Sequence, residues 1–163
     1  MMKFFNRVMA ETTLDDLMPL IRERLDAGQL VRIYPYGVSM RPMLREGTDS
    51  VVLSKAKSIK KYDVILYQRE NGKYVLHRVV GVGETYTCIG DNQFAFETGI
   101  SSEQVIAVCV AFARGEKEYS ANALRWRVYA VIWHYSRSLR RLAMGAKKRI
   151  RGLFKRIKRR LRG

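Results

Sequence analysis

The chain of 163 residues is 47% hydrophobic, which is enough for one modest globular domain with an appendage and too little for two full domains. Its formal net charge of +16 is distributed unevenly. All fifteen acidic residues lie at or before Glu118, together with sixteen Lys and Arg, so residues 1–120 are nearly neutral. The other fifteen basic residues fall in 121–163, and the positive charge therefore belongs to a C-terminal tail.

Composition also excludes several classes of protein. The two cysteines, Cys88 and Cys109, lie in apolar stretches that read as strands, which favours reduced core thiols over a disulfide. Two Cys and two His at scattered positions offer no metal-ligand spacing, so we expect neither metal nor cofactor. The start has no apolar run of signal-peptide length, and the longest uncharged runs are about half of what a bilayer-spanning helix needs.

Residues 1–30 are predicted to form an N-terminal helical segment. The stretch 12–27, TTLDDLMPLIRERLDA, has a threonine at a plausible N-cap, acids in the first turn and Gly28 after its end. Pro19 either kinks this helix or marks a later start. The apolar residues at helical spacing are Leu14, Leu17, Met18, Ile21 and Leu25.

Residues 31–119 are predicted to form a mainly β domain, antiparallel or barrel-like. Short β-rich runs alternate with turn residues over this range. The runs are VRIYPYG, DSVVLSK, YDVILYQ, KYVLHRVVGV, ETYTCIG and EQVIAVCVAFA.

The best local signal in this domain is Asn71-Gly72, because both residues accept the positive φ angles of a two-residue hairpin turn. That turn would place Glu70 opposite Lys73 and His77 opposite Leu66. His77 would then lie on an apolar strand face. A lone histidine there is more often a core residue than a functional one, so both readings stay open at this point.

Residues 120–163 are predicted to form one long basic amphipathic helix, broken at most at Gly145 or Gly152. Four aromatic residues, Trp126, Tyr129, Trp133 and Tyr135, cluster near its start, on or near the apolar side. Apolar residues recur every three or four positions along it. They are Leu124, Val128, Ile132, Tyr135, Leu139, Leu142, Ala146, Ile150, Leu153, Ile157 and Leu161.

The stretch GVSMRPML, residues 37–44, raises the question of what Ser39 does. Ser39 could open a short helix, or it could be a nucleophile on a stiff turn with a base supplied from elsewhere. The blocks GVSMRPML, KKYDVILYQ, YVLHRVVGV, CIGDNQFAFE and VIAVCVAFARG, in that order over residues 32–114, resemble the S24/S26 serine peptidases. This family includes type I signal peptidases and SOS-repressor autopeptidases. The resemblance implies a signal-peptidase-like antiparallel β domain.

The resemblance also implies an activity, that of a serine endopeptidase acting on an extended peptide or a precursor protein. It makes Ser39 the nucleophile and His77 the general base, as in the Ser–His branch found in endoplasmic-reticulum and sporulation-type signal peptidases. In that branch an acid in or just after the GDN block orients the histidine. The matching positions here are Asp91 and Glu97, with Glu97 standing where Asp is usual, and both remain candidates.

The tail predicts a partner. A basic amphipathic helix with Trp and Tyr at its apolar boundary is typical of segments that lie on anionic membranes, so we expect peripheral attachment through residues 121–163, on the cytoplasmic side by default. Packing of the stripe on the β domain is the alternative, and nucleic acid is the disfavoured partner. A catalytically silent S24/S26-fold adaptor, bound to membrane or RNA through the tail, is the alternative function.

Overall fold

A computed structural model describes residues 14–141. The predicted N-cap threonine and the part of the stripe from Leu142 onward lie outside the described residues. Helix α1 spans Leu14–Asp26 and runs through Pro19, so the helix predicted over 12–27 is confirmed where it is described. It buries Met18, Ile21 and Leu25, three of the five residues predicted to share its apolar face.

The end of α1 is a hydrogen-bonded C-cap. Gly28 has a φ of 75°, its N–H donates to the Leu25 carbonyl, and the Gln29 N–H donates to the Arg24 carbonyl. This pair of bonds is the Schellman arrangement, in which glycine accepts the left-handed conformation without a Cβ penalty. The chain therefore leaves the helix and turns toward the first strand.

The described part of the chain contains eight strands in one antiparallel sheet, which confirms the prediction of a mainly β protein. All six predicted runs contain a strand, whereas β6 and β8 had no sequence signal. The strand order is β1-β2-β7-β3-β4-β5-β6, with β8 paired to β7. The bounds are β1 Val31–Ile33, β2 Asp49–Lys55, β3 Val64–Gln68, β4 Tyr74–Val82, β5 Tyr86–Ile89, β6 Glu97–Ile100, β7 Val105–Arg114 and β8 Lys117–Ser120, with a 3₁₀ turn at Ser102–Gln104.

Alternation along the strands divides the buried residues into two clusters. On β3, Val64 and Leu66 face the cluster that also holds α1, whereas Ile65 and Tyr67 face a smaller cluster. The two cysteines are free thiols and lie in different clusters. Burial raises the pKa of each thiol to about 12, so neither is a reactive thiolate at neutral pH.

The predicted register of the β3–β4 hairpin is wrong by one residue. His77 pairs with Ile65 instead of Leu66, and the Arg69 N–H donates to the Lys73 carbonyl. The loop therefore holds three residues, and Gly72 takes a φ of 82° at its end. A left-handed third residue is the usual way to close a three-residue hairpin loop, which explains why the asparagine-glycine signal located the turn and misjudged its length.

Helix α2 spans Leu124–Tyr135, and residues 137–141 are also helical. Three of the four aromatic residues predicted to lie on or near the apolar side, Trp126, Tyr129 and Trp133, face the β domain instead. Trp126 and Tyr129 pack against the larger core cluster, and the Trp133 indole donates to the Asp91 carbonyl. The Tyr129 O–H and the Trp133 N–H find acceptors on Asp91, and the Trp126 ring packs edge-on against Phe112.

The apolar stripe lies on the opposite side of α2. Its described members are between 46% and 78% exposed, so packing of the stripe on the β domain is wrong for residues 124–139. These members are Leu124, Val128, Ile132, Tyr135 and Leu139. Within residues 14–141, no helix is long and apolar enough to cross a bilayer.

Candidate functional site

Ser39 lies in the loop between β1 and β2, partly exposed, with a turn of chain following it. The turn is anchored by Met40, Met43 and Leu44, which are buried in the larger core cluster. One helical hydrogen bond forms, from the Leu44 N–H to the Met40 carbonyl, so Ser39 precedes a single turn. Within the described residues, the Ser39 N–H has no hydrogen-bond partner, which leaves it available to a ligand.

The residue two positions before Ser39 is held from the other end of the same loop. Gly37 takes a φ of 93°, a conformation that favours glycine, and its N–H donates to Glu46 Oε1 at 2.9 Å. This bond fixes the direction in which the chain approaches Ser39.

His77 comes from the middle of β4 and is 1% exposed. Its Nδ1 lies 3.2 Å from Glu97 Oε1 and 3.3 Å from the Tyr67 hydroxyl oxygen. A carboxylate oxygen can only accept, so Nδ1 carries the proton and donates it. The neutral tautomer that results leaves Nε2 with a free lone pair.

The Nε2 side of the imidazole faces the loop of Ser39. Gly90 lies between them: a Cβ at this position would come within 2.7 Å of the Ser39 carbonyl oxygen and 3.0 Å of His77 Nε2. Only glycine fits there, because the Ser39 carbonyl oxygen and His77 Nε2 both lie next to the position that a Cβ would occupy. The next turn ties the loop down, because the Asn92 N–H donates to the Ser39 carbonyl at 2.7 Å and its side-chain amide to the Val38 carbonyl at 3.2 Å.

Ser39 and His77 both line one open cavity of about 230 Å³, together with Tyr36, Arg69 and Gln93. Within the described residues, the Ser39 hydroxyl makes no hydrogen bond to His77. The nucleophile–base bond is often long or misaligned in a ligand-free site and tightens when substrate binds, so a shared cavity is the arrangement expected before substrate arrives.

Glu97, the first residue of β6, is held by two other side chains besides His77. The Tyr67 hydroxyl donates to Oε2 at 2.6 Å, and Arg69 Nε donates to Oε2 at 2.8 Å. Arg69 Nη2 also donates to Oε1, so the guanidinium grips both carboxylate oxygens. The structure therefore brings Ser39, His77 and Glu97 together.

Asp91, the other candidate acid, pairs with Arg78 and not with His77. It is 3% exposed, and its two carboxylate oxygens accept from Arg78 Nε and Nη2, both at 2.8 Å. The Tyr129 hydroxyl donates to Oδ2 at 3.1 Å. Its backbone carbonyl accepts from Trp133 and Arg140 of the C-terminal helical region. The carboxylate thus joins β4 to α2 and makes no hydrogen bond to His77.

Burial controls the charge state of the site. It lowers the pKa of His77 to about 4, because the free-energy cost of removing the charged imidazolium from water exceeds the attraction between the imidazolium and Glu97. The contact with Glu97 is therefore a hydrogen bond from a neutral ring at neutral pH. Burial alone would raise the pKa of Glu97, but hydrogen bonds from Arg69 and Tyr67 and the nearby His77 lower it below its usual value. At neutral pH the Glu97 carboxylate is therefore ionised, and the His77 imidazole is neutral with Nε2 unprotonated.

Sequence reasoning missed Tyr67, Arg69 and Gly90. Tyr67 and Arg69 reach Glu97 from about thirty positions away, through strand pairings that no local pattern encodes. Gly90 is the glycine of the GDN block. A glycine beside a strand can mark a close approach of two parts of the backbone, and this is the signal that could have identified it. Among residues 14–141, no group of three His, Cys, Asp or Glu could hold a metal ion.

Comparison with known proteins adds no identification: no protein-family model matches the chain, and no curated protein matches it.

Proposed function

We propose that the protein is a serine endopeptidase of the S24/S26 signal-peptidase type, with Ser39 as nucleophile and His77 as general base. The observation that carries this proposal is the position of the imidazole. Its Nδ1 is engaged by Glu97, and its Nε2 faces the main chain of Ser39 across Gly90. A nucleophile, a base and an orienting carboxylate in that order are the requirements of acyl transfer.

The chemistry follows from the tautomer. Ser39 Oγ attacks the peptide carbonyl carbon while His77 Nε2 takes its proton, and Glu97 stabilises the imidazolium that forms. The unpartnered Ser39 N–H is a donor for the developing oxyanion. Collapse of the intermediate breaks the C–N bond, and His77 returns the proton to the leaving amine. Water activated by the same imidazole then hydrolyses the acyl-enzyme and regenerates Ser39.

The substrate is an extended peptide or a precursor protein. The site is an open cavity of about 230 Å³ lined by the Ser39 loop and by β4, which suits a strand-like peptide with small side chains near the cut. The signal-peptidase-like fold belongs to the same proposal, supported by the order of the sequence blocks and by the antiparallel sheet that carries them.

The test is cleavage of a library of extended peptides with small residues before the scissile bond, read by mass spectrometry. Wild type is expected to cleave at discrete bonds, and Ser39→Ala is expected to lose all cleavage while unfolding at the same denaturant concentration. Absence of cleavage by folded wild type, with and without vesicles, would instead favour the adaptor function.

We also propose that the protein attaches peripherally to an anionic membrane surface through residues 121–163. The support is the exposed stripe of α2, which lies opposite the face that packs on the domain. Fifteen basic residues and no acidic ones accompany it in the sequence. Each basic residue near an anionic surface adds about 1 kcal/mol, and the anionic leaflet facing the cytoplasm is the surface that this charge fits.

Vesicle co-sedimentation tests this attachment. The double variant Ile132→Glu/Leu139→Glu should lose binding to vesicles of mixed phosphatidylcholine and phosphatidylglycerol. The matched control is Leu20→Glu/Val82→Glu, which places the same charges on residues of comparable exposure elsewhere. Equal binding by both double variants would show that charge alone is responsible, and stronger binding to RNA than to vesicles would favour nucleic acid as the partner.

A further inference from the structure

The carboxylate that faces His77 belongs to a glutamate, whose side chain has one more rotatable bond than that of aspartate. The Glu97 side chain also has open space into which it could turn. Its side chain is 24% exposed and borders a second open cavity of about 390 Å³, which Ser39 does not line. A carboxylate in that position would turn toward water unless other groups held it.

Two side chains hold it. Three donor groups reach the carboxylate from the β3 end of the hairpin: the Tyr67 hydroxyl, Arg69 Nε and Arg69 Nη2. The fork of the guanidinium matches the plane of the carboxylate, which fixes its orientation as well as its position. Tyr67 and Arg69 Nε hold Oε2, and Arg69 Nη2 holds Oε1, the oxygen that faces His77.

We propose that Tyr67 and Arg69 are positioning residues, which hold Glu97 against His77 so that the imidazole keeps its proton on Nδ1 and its lone pair toward Ser39. This inference rests on the proposed function for its effect on rate. The geometric part stands without it, because it concerns where a proton lies on His77.

Tyr67 has a second role in the same arrangement. Its hydroxyl gives its only proton to Glu97 at 2.6 Å, so its oxygen can only accept from His77 Nδ1, 3.3 Å away. The Nδ1 proton thus meets two acceptors, Tyr67 and Glu97. Both contacts favour the same tautomer.

The charges around the ring act in opposite directions. Glu97 on β6 and Asp91 in the turn between β5 and β6 favour the imidazolium, whereas Arg69, just after β3, opposes it, and the neutral Tyr67 hydroxyl lies against Nδ1. Removing Arg69 removes a positive charge and also frees Glu97. A residue that served only as a surface ion pair would leave the tautomer unchanged.

The experiment is ¹⁵N–¹H correlation spectroscopy of histidine-labelled protein, which distinguishes the two nitrogen atoms of His77 and uses His134 as an internal reference. In wild type at neutral pH we expect Nδ1 protonated. In Tyr67→Phe/Arg69→Met we expect a mixture of tautomers, with kcat lower by about 10²-fold, the cost of a misplaced catalytic group.

Arg127→Met is the matched control, because Arg127 also pairs with a carboxylate, that of Asp63, and its side chain has the same 36% exposure as Arg69. It should leave the His77 tautomer as in wild type. A folded Tyr67→Phe/Arg69→Met variant with Nδ1 still fully protonated would overturn the inference. A shifted tautomer in a protein that cleaves no peptide would support the positioning role and count against the proposed function, so the two can fail separately.

Discussion

Two carboxylates in this protein have nearly the same partners and different surroundings. Asp91 and Glu97 are each gripped through both oxygens by one arginine, Arg78 and Arg69 respectively, and each accepts from a tyrosine hydroxyl. Asp91 lies sealed between β4 and α2 at 3% exposure. Glu97 borders an open cavity and has one oxygen in contact with His77.

The difference shows how the same set of groups serves structure in one place and a reactive site in another. The buried Asp91 carboxylate is hydrogen-bonded only to groups that join β4 to α2. Its removal would leave a buried guanidinium unpaired. A carboxylate at the rim of a cavity costs less to keep there and can respond to a proton on its neighbour. We therefore assign the orienting role to Glu97 within the proposed mechanism, and a structural role to Asp91.

The largest expected effect separates the two carboxylates by stability. Asp91→Ala strands Arg78, which is 4% exposed, and we expect a loss of about 3–5 kcal/mol in the free energy of unfolding. Glu97→Ala leaves Arg69 partly solvated, and we expect a loss of about 1 kcal/mol or less. Urea denaturation monitored by circular dichroism gives both values. Equal losses would remove the distinction on which the comparison rests.

The second effect is on activity. Glu97→Gln keeps the size of the side chain and removes its charge, so the imidazolium formed during catalysis loses its partner. We expect kcat for peptide cleavage to fall by about 10²-fold, the lower end of what general base catalysis contributes. Steady-state kinetics on a cleaved peptide measures it. Full activity in Glu97→Gln, with normal stability, would mean that another group orients His77.

The third effect is the pH dependence of stability. The pKa of His77 is about 4 in the folded protein and about 6.5 when unfolded, so the unfolded chain takes up this proton first as the pH falls. Stability is therefore lost below pH 6.5, by about 2 kcal/mol between pH 6.5 and 5, before most carboxylates titrate.

His77→Gln should lack this part of the loss, which denaturation curves at several pH values would reveal. The pKa of His134 is also lowered, chiefly by burial, but its contribution is present in both proteins and cancels in the difference. Identical pH profiles for the two proteins would show that His77 is not held neutral by the fold.

The smallest effect concerns the attachment of α2 to Asp91. Trp133→Phe removes the indole N–H that donates to the Asp91 carbonyl at 2.6 Å, and we expect a loss of about 1 kcal/mol. Trp126→Phe is the matched control, because the Trp126 indole N–H is buried without a partner among the described residues. Thermal denaturation should show a lower midpoint for Trp133→Phe than for Trp126→Phe. The reverse order would contradict the role assigned to this bond.

The features that could be predicted from the sequence are those set by residues close together along the chain. Strong local signals located α1 and six strands, because periodicity and turn residues act over a few positions. The register of the hairpin was wrong because Gly72 closes a three-residue loop, which the local pair Asn71-Gly72 does not distinguish from a two-residue one. Strand β6 was missed because ETGI has little apolar alternation.

The site shows the same division. Ser39 and His77 were proposed from short motifs, but the choice between Asp91 and Glu97 depends on Arg78, Tyr67 and Arg69, which reach the two carboxylates from 13, 30 and 28 positions away. The packing face of α2 was misassigned for a related reason. Trp126 and Trp133 could pack inward only because the β domain offers Phe112 and the Asp91 carbonyl to receive them.

The most direct test of the central claim is acylation of Ser39 by an activated peptide ester, quenched in acid and mapped by mass spectrometry, since an activated ester does not require the natural cleavage sequence. The account predicts one covalent adduct on Ser39 in wild type, slower by about 10²-fold or more in His77→Gln and absent in Ser39→Ala. An adduct on another residue, or acylation of Ser39 at the same rate without His77, would contradict it.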